Sequence, residues 1–182
     1  MEPDIIVRGE RAALGPLRMD LAATYARWFN DPEARRGILR RGIATPETDA
    51  AWTEEAMRAG AQRRPESVHF TIYDVADLAP VGSAGLYGID HMMGRAGLGI
   101  MIGERRGQGL GTDATRLVTR WGFVDLGLVN VMLEAMSWNE SAIRAYARAG
   151  FKEIGRRRGS QLSEGRRWDE VLMDAIPADV LT

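Results

Sequence analysis

The segment Leu98-Gly-Ile-Met-Ile-Gly-Glu-Arg-Arg-Gly-Gln-Gly-Leu-Gly-Thr112 constrains this 182-residue chain more than any other stretch. A short apolar run ends in three alternating glycines, Gly107, Gly109 and Gly111, and a helical pattern begins at once. Glycine admits positive φ and lets another group come close to the backbone. The unpaired N–H groups of a helix's first turn, together with the helix dipole, favour an anion such as phosphate. The layout predicts an anion site, with Arg106 at its mouth as a charged contact.

Spacing decides between the owners of such a loop. A Walker A loop needs Lys and then Ser or Thr after its last glycine, whereas Thr112 and Asp113 follow Gly111 here. A dinucleotide fingerprint needs G-x-G-x-x-G and an acid about twenty residues further on, at the end of a second strand. This loop reads G-x-G-x-G, and Asp125 falls inside the helical pattern. A third pattern fits: Gln/Arg-x-x-Gly-x-Gly/Ala, met by Arg106, Gly109 and Gly111.

The residues downstream extend it. Ala114, Leu117, Val118, Trp121 and Val124 recur at helical spacing, and Gly127 is a natural stop. Val129–Met136 is rich in β-formers and reads as a strand. Ser137 or Asn139 then caps a second helix with the stripe Ala142, Ile143, Tyr146 and Ala147, stopped at Gly150. The loop and the run Asn139-Glu-Ser-Ala-Ile-Arg-Ala-Tyr-Ala-Arg-Ala-Gly-Phe151 resemble, in order, the two acyl-CoA signatures of the GNAT superfamily of N-acyltransferases. The opening block, with Trp28-Phe-Asn-Asp-Pro-Glu33, and the closing Arg167-Trp-Asp-Glu-Val-Leu-Met173 are similar to the branch holding ribosomal-protein-alanine acetyltransferases. That branch also holds polyamine, aminoglycoside and other small-amine enzymes.

The rest of the chain supplies a matching frame. Residues 8–19 read as a strand, and 20–30 as a helix with Asp20 as N-cap, broken at Asn30-Asp31-Pro32. A short helix is expected over 32–41, and Thr45-Pro46 opens another over 46–60. Strands are predicted at 67–75, 81–90 and 95–103, and a terminal hairpin after Phe151 turns at Ser163-Glu164-Gly165. The expected fold is α+β: one mixed, mostly antiparallel sheet flanked by helices, in a single domain over 1–182.

Composition narrows the function classes. Hydrophobic content of 45% and charged content of 27% are ordinary globular values, and a net charge of −1 gives no reason to expect nucleic acid or an anionic membrane as partner. With no cysteine there is no thiol nucleophile and no disulfide. His69 and His91 have no metal-ligand spacing, so no metal is expected. No apolar run is long enough to span a bilayer, and a cytoplasmic location, where acetyl-CoA is available, is the expectation.

The resemblance implies acetyl-CoA as cosubstrate, held at its pyrophosphate by the backbone of Gly107, Gln108, Gly109, Leu110, Gly111 and Thr112 with Arg106 beside them. It implies that Met101 and Ile102, where the strand ends, pair with the pantetheine arm, and that Asn139 contacts that arm or caps its helix. Tyr146 becomes the candidate proton donor to the thiolate, with core packing as the alternative. Glu134, on the face of Met132 and Met136, is a candidate base for the amine, or a surface carboxylate. Asp31, Glu33, Asp90 and His91 are unranked candidates for an acceptor pocket, and Trp28, Phe29 and Trp52 for its wall. The predicted activity is acetyl transfer by direct attack of an amine, either a protein N-terminal α-amine or a small amine such as a polyamine or aminoglycoside. A non-catalytic acyl-CoA sensor is the competing class. The resembled branch also contains dimers, which makes a homodimer an expectation.

Overall fold

The computed structural model describes residues 2–38 and 42–181. Its strands are β1 (Val7–Arg8), β2 (Ala12–Pro16), β3 (Ser67–Asp74), β4 (Pro80–Asp90), β5 (Arg95–Ile102), β6 (Asn130–Met136), β7 (Lys152–Ser163) and β8 (Arg166–Ala175). Its helices are α1 (Ala22–Asn30), α2 (Pro32–Gly37), α3 (Pro46–Gly60), α4 (Leu110–Asp125), α5 (Glu140–Arg148) and α6 (Pro177–Val180). The strands form one sheet in the order β1-β2-β3-β4-β5-β6-β8-β7. Every neighbouring pair is antiparallel except β5 with β6, which run parallel. This is the mixed, mostly antiparallel α+β sheet that the sequence predicts. Among the described residues no helix is long and apolar enough to cross a membrane.

Alternation gives the sheet two apolar faces. On one, Ala96, Leu98, Val131, Leu133 and Val171 meet Leu110, Ala114, Leu117 and Val118 of α4. On the other, Leu17 and Met101 meet Tyr25 and Trp28 of α1 and Ala56 of α3. The expected stripe of α4 is rotated: Val124 is 61% exposed, while Leu110, Thr115, Thr119 and Phe123 are buried. The threonines are tolerated because their hydroxyls donate back to Gly111 O and Thr115 O at 2.7 and 2.8 Å. At Gly122 a Cβ would lie 2.8 Å from Leu86 Cδ1, so glycine lets the helix sit close. On α5, Ile143 and Tyr146 pack against the core, but Ala147 is exposed.

The N-terminal third departs from expectation in three places. The single strand over 8–19 is two short strands, split by a turn in which Gly9 N donates to Ala12 O at 2.8 Å. A 3-10 turn over Met19–Leu21 precedes α1, and Asp20 pairs with Arg18 instead of capping the helix. The short helix expected over 32–41 ends at Gly37, with 39–41 outside the described residues. Asp31 caps α2 by accepting Ala34 N at 2.9 Å. The Thr45 cap of α3 is present, with Thr45 and Thr48 exchanging backbone-to-hydroxyl bonds at 2.9 and 3.2 Å.

Asp113, in the first turn of α4, holds the start of β2. Its Oδ2 accepts Arg11 N at 2.8 Å and Ala12 N at 2.9 Å, and the residue is 8% exposed. A Cβ on Gly9 would lie 2.6 Å from the same oxygen. Asp113→Ala strands two amides, each worth about 1–3 kcal/mol when buried without a partner. Urea unfolding should report roughly 3 kcal/mol less stability; an unchanged midpoint would show that water replaces the carboxylate at no cost.

Candidate active site

The site grows from the one parallel strand pair. β5 and β6 pair only at Arg95↔Asn130, Ala96↔Val131 and Gly97↔Met132. Beyond Gly97 they part: β5 continues along β4 as far as Ile102, while β6 continues along β8 as far as Met136. A gap with two unpaired strand edges opens between them. Gly103 N donates to Val81 O at 2.8 Å, so strand alternation turns the amides and carbonyls of Ile100 and Ile102 toward this gap. Met101 turns its backbone toward β4, and its side chain is buried against α1. Of the two residues at the strand end, Ile102 therefore offers main-chain groups to a guest, and its carbonyl already accepts Arg106 Nε at 2.8 Å.

At the head of the gap stands the N-terminus of α4. Gly107 and Gly109 have φ of +79° and +83°, and Gly109 is the N-cap without any side-chain cap. The first bond into the helix is Asp113 N to Gly109 O at 3.1 Å, which leaves the amides of Leu110, Gly111 and Thr112 without an intrahelical acceptor. Glycine in place of a capping side chain costs only a few tenths of a kcal/mol, about 0.3. Burying Leu110, Leu117, Val118 and Phe123 returns about 2 kcal/mol each, so packing alone seats the helix and its first amides stay free for a ligand.

Arg106 is already engaged. Its Nη1 reaches Glu33 and its Nη2 Asp31, each at 2.8 Å, and with Nε on Ile102 O it ties the loop to α2. The bond from Ala34 N, followed by Arg106, holds the Asp31 carboxyl below the usual carboxylate range. Other arginines flank the helix start: a cavity of about 210 Å³ is lined by Arg11, Gly109, Thr112, Arg116 and Arg148, with the acids Glu10 and Asp113. Arg11 Nη1 donates to Gln108 O at 3.3 Å, and Arg116 Nη2 to Arg148 O at 2.8 Å. The sequence reading missed all three. Arg116 carried a signal, one helical turn after Thr112 and so on the same face. Arg11 and Arg148 reach the cavity only through long-range folding.

Gly109→Val tests the loop. A β-branched residue at that φ is a true backbone outlier, and even a Cβ would lie 3.1 Å from Arg11 Cδ. Strain of about 1–3 kcal/mol should weaken acetyl-CoA binding by roughly tenfold or more in titration calorimetry. Unaltered affinity would place the pyrophosphate elsewhere.

Tyr146 and Glu134 flank the gap. Tyr146 rises from α5, half-buried, 6.4 Å centroid to centroid from Phe151. No hydrogen bond holds its hydroxyl among the described residues, and burial, with a smaller contribution from Tyr87, pushes its pKa up to about 12. Tyr87 lies on the opposite face of the sheet, its ring over the backbone of Gly97; a Cβ there would fall 2.4 Å from Tyr87 Cε2. Burial, then the charges of Glu134 and Glu170, raises the Tyr87 pKa as well.

Glu134 shares the face of Tyr87, its side chain one-third exposed. Burial raises its pKa first; the charge of Glu170 and a hydrogen bond with it add, and Arg157 opposes. Arg157 pairs with Glu170, which is 4% exposed, and stands 3.7 Å from Glu134. Sequence reading singled out Glu134 but missed Tyr87, Arg157 and Glu170, which only sheet pairing brings to it.

The other candidates make structural contacts. Asn139 caps α5, accepting Ala142 N at 3.3 Å and the Ser141 hydroxyl at 3.0 Å. Asp90 accepts Met92 N and Met93 N at the β4–β5 turn, and His91 Nε2 lies 2.9 Å from Pro65 O. Trp28 is buried, with Nε1 on Glu104 at 3.1 Å. Phe29, Trp52 and His69 form an edge-on aromatic row under α3, and burial lowers the His69 pKa.

Comparison with known proteins agrees with this geometry. Residues 11–152 match the model of an acetyltransferase (GNAT) domain. The fold is similar to spermidine N-acetyltransferase from Vibrio cholerae, solved with CoA and spermine: TM-score 0.83, 17% identity, 94% of this chain and 98% of that one. It is also similar to Mycobacterium smegmatis RimJ in complex with CoA-disulfide, at TM-score 0.81 and 20% identity over 94% and 84% of the two chains. A GNAT-family acetyltransferase from Bacillus anthracis gives TM-score 0.79 and 14% identity over 94% and 98%. The domain match spans more than half of the sequence, and the chain belongs to the GNAT acetyltransferase family, as an acetyl-CoA-dependent N-acetyltransferase.

Proposed function

We propose that this protein acetylates a primary amine, a protein N-terminal α-amine in the first place, by direct attack on acetyl-CoA bound in the β5–β6 gap. The carrying observation is the gap itself, with free helix amides at its head, Tyr146 on one face and Glu134 on the other. Pyrophosphate sits on the amides of residues 110–112, and the pantetheine arm runs along the backbone of Ile100 and Ile102. The Trp28–Glu33 block supports a protein α-amine as acceptor. It forms the corner beside the loop, with Asn30 bonded to Ala44 N and O at 3.0 and 2.6 Å.

The chemistry follows from the two pKa directions. The acceptor arrives as an ammonium and gives one proton to Glu134, whose raised pKa makes it a better base than an ordinary carboxylate. Nitrogen bonds to the thioester carbon, the C–S bond breaks, and the electron pair leaves on sulfur. Tyr146, protonated at any working pH, donates a hydrogen bond to that sulfur. A phenol near 12 is a weaker acid than a thiol near 8.5, so Tyr146 stabilises the developing thiolate and relays a proton that originates on the attacking nitrogen. With no cysteine in the chain, no acyl-thiol intermediate on the protein forms.

Release of CoA thiol tests the reading, with peptides bearing N-terminal Ala, Ser or Thr, aminoglycosides, polyamines and free amino acids as acceptors. Turnover with the peptides is expected. Tight acetyl-CoA binding without turnover on any acceptor would point to a sensor and overturn it.

A further inference from the structure

Four buried polar atoms without a hydrogen-bond partner lie where α2, the β6–α5 junction and the β7–β8 hairpin meet: Arg36 Nε, Trp138 Nε1, Trp168 Nε1 and Ser160 Oγ. Their elements are stitched together. The Arg36 guanidinium stacks 4.3 Å over the Trp138 ring, and its Nη2 reaches Glu164 at the hairpin turn at 2.9 Å. Ser137 N donates to Asp169 O at 2.9 Å, which sets Trp138 beside the Trp168–Asp169 segment. Gly159 N donates to Asp169 Oδ1 at 2.8 Å, which brings Ser160 to the same corner. Three of the four groups are pure donors. A buried donor without an acceptor forfeits its hydration for nothing, and three in one corner call for a guest with oxygen lone pairs.

The corner adjoins the proposed acceptor site. Trp168 stands two positions before Glu170 on the same face of β8, about 7 Å along the strand. Glu170 and Arg157 hold Glu134, where the amine is activated. Glu134 pairs with Leu172, two positions further along, so Glu134, Glu170 and Trp168 share one face of the sheet with Glu170 between the other two.

We propose that Arg36, Trp138 and Trp168 form an oxygen-binding subsite for the acceptor, taking the carbonyl or carboxylate next to its amine. The inference rests on the acetyl-transfer reading and narrows it to amines that carry such an oxygen. A polyamine brings only N–H groups and positive charge, which would leave the donors unpaired and face Arg36 and Arg157.

The test compares four acceptors: an N-terminal Ala peptide amide, free alanine, n-propylamine and spermidine. Wild-type protein should use the better of the first two on the order of a hundredfold more efficiently than n-propylamine or spermidine. Preference for the peptide identifies a carbonyl as the ligand, and preference for alanine a carboxylate; both uphold the subsite. Trp168→Phe keeps the ring and removes the N–H. It should raise the KM for the oxygen-bearing acceptor about tenfold, leave the KM for acetyl-CoA and turnover of n-propylamine unmoved, and keep or raise the thermal midpoint. Trp138→Phe provides a second variant with the same expected outcome. Unchanged acceptor KM in both variants, or spermidine used as well as the peptide, would overturn the subsite while acetyl transfer stands. Absence of CoA release with every acceptor would overturn both.

Discussion

Tyr146→Phe should lower kcat by about 10²–10³-fold and leave the acetyl-CoA affinity intact. The estimate follows from the role that the raised pKa leaves to the hydroxyl. A phenol held near 12 donates a hydrogen bond to charge developing on sulfur, and removing one such preorganised donor costs about 2.7–4 kcal/mol of transition-state stabilisation. Phenylalanine keeps the ring that packs against Phe151 and the core, so the fold and the cosubstrate site stay in place. Steady-state kinetics with calorimetry on the same variant separates the two quantities. An unaltered kcat would return Tyr146 to a purely packing residue.

Glu134→Gln is the second large effect, a loss in kcat/KM of about 10²–10⁴-fold. Its pH dependence carries the sign. The carboxylate must be ionised to accept the proton, so kcat/KM of the wild type rises as pH climbs through the raised Glu134 pKa, and the glutamine variant lacks that limb. Removing the like charge in Glu170→Gln should move the limb to lower pH, and removing the opposing cation in Arg157→Ala should move it higher. Identical profiles for wild type and Glu134→Gln would assign the proton to water or to another base.

What the sequence disclosed was local. Gly107 and Gly109 announce the free helix start, because their φ values of +79° and +83° favour glycine. Alternation alone placed Glu134 opposite the buried Val131 and Leu133. What it hid was long-range. Glu170 and Arg157 meet Glu134 through the β6–β8 and β7–β8 pairings, and the β7 register shift between Arg157 and Gln161 has no local signature. Asp113 looks like an ordinary first-turn acid, yet it holds the start of β2 from some hundred residues away. Arg106 reads as a phosphate contact by position, but the corner at Asp31 and Glu33 claims its guanidinium. Asp20 reads as a cap by composition, but the neighbouring Arg18 takes its carboxylate and a 3-10 turn opens the helix.

The central claim is direct transfer between two substrates bound at once, across the gap between β5 and β6. Initial velocities over a grid of acetyl-CoA and N-terminal Ala peptide concentrations test it most directly. Attack in a ternary complex predicts double-reciprocal lines that intersect. Parallel lines, the mark of an acyl group parked on the protein before the amine arrives, would contradict it.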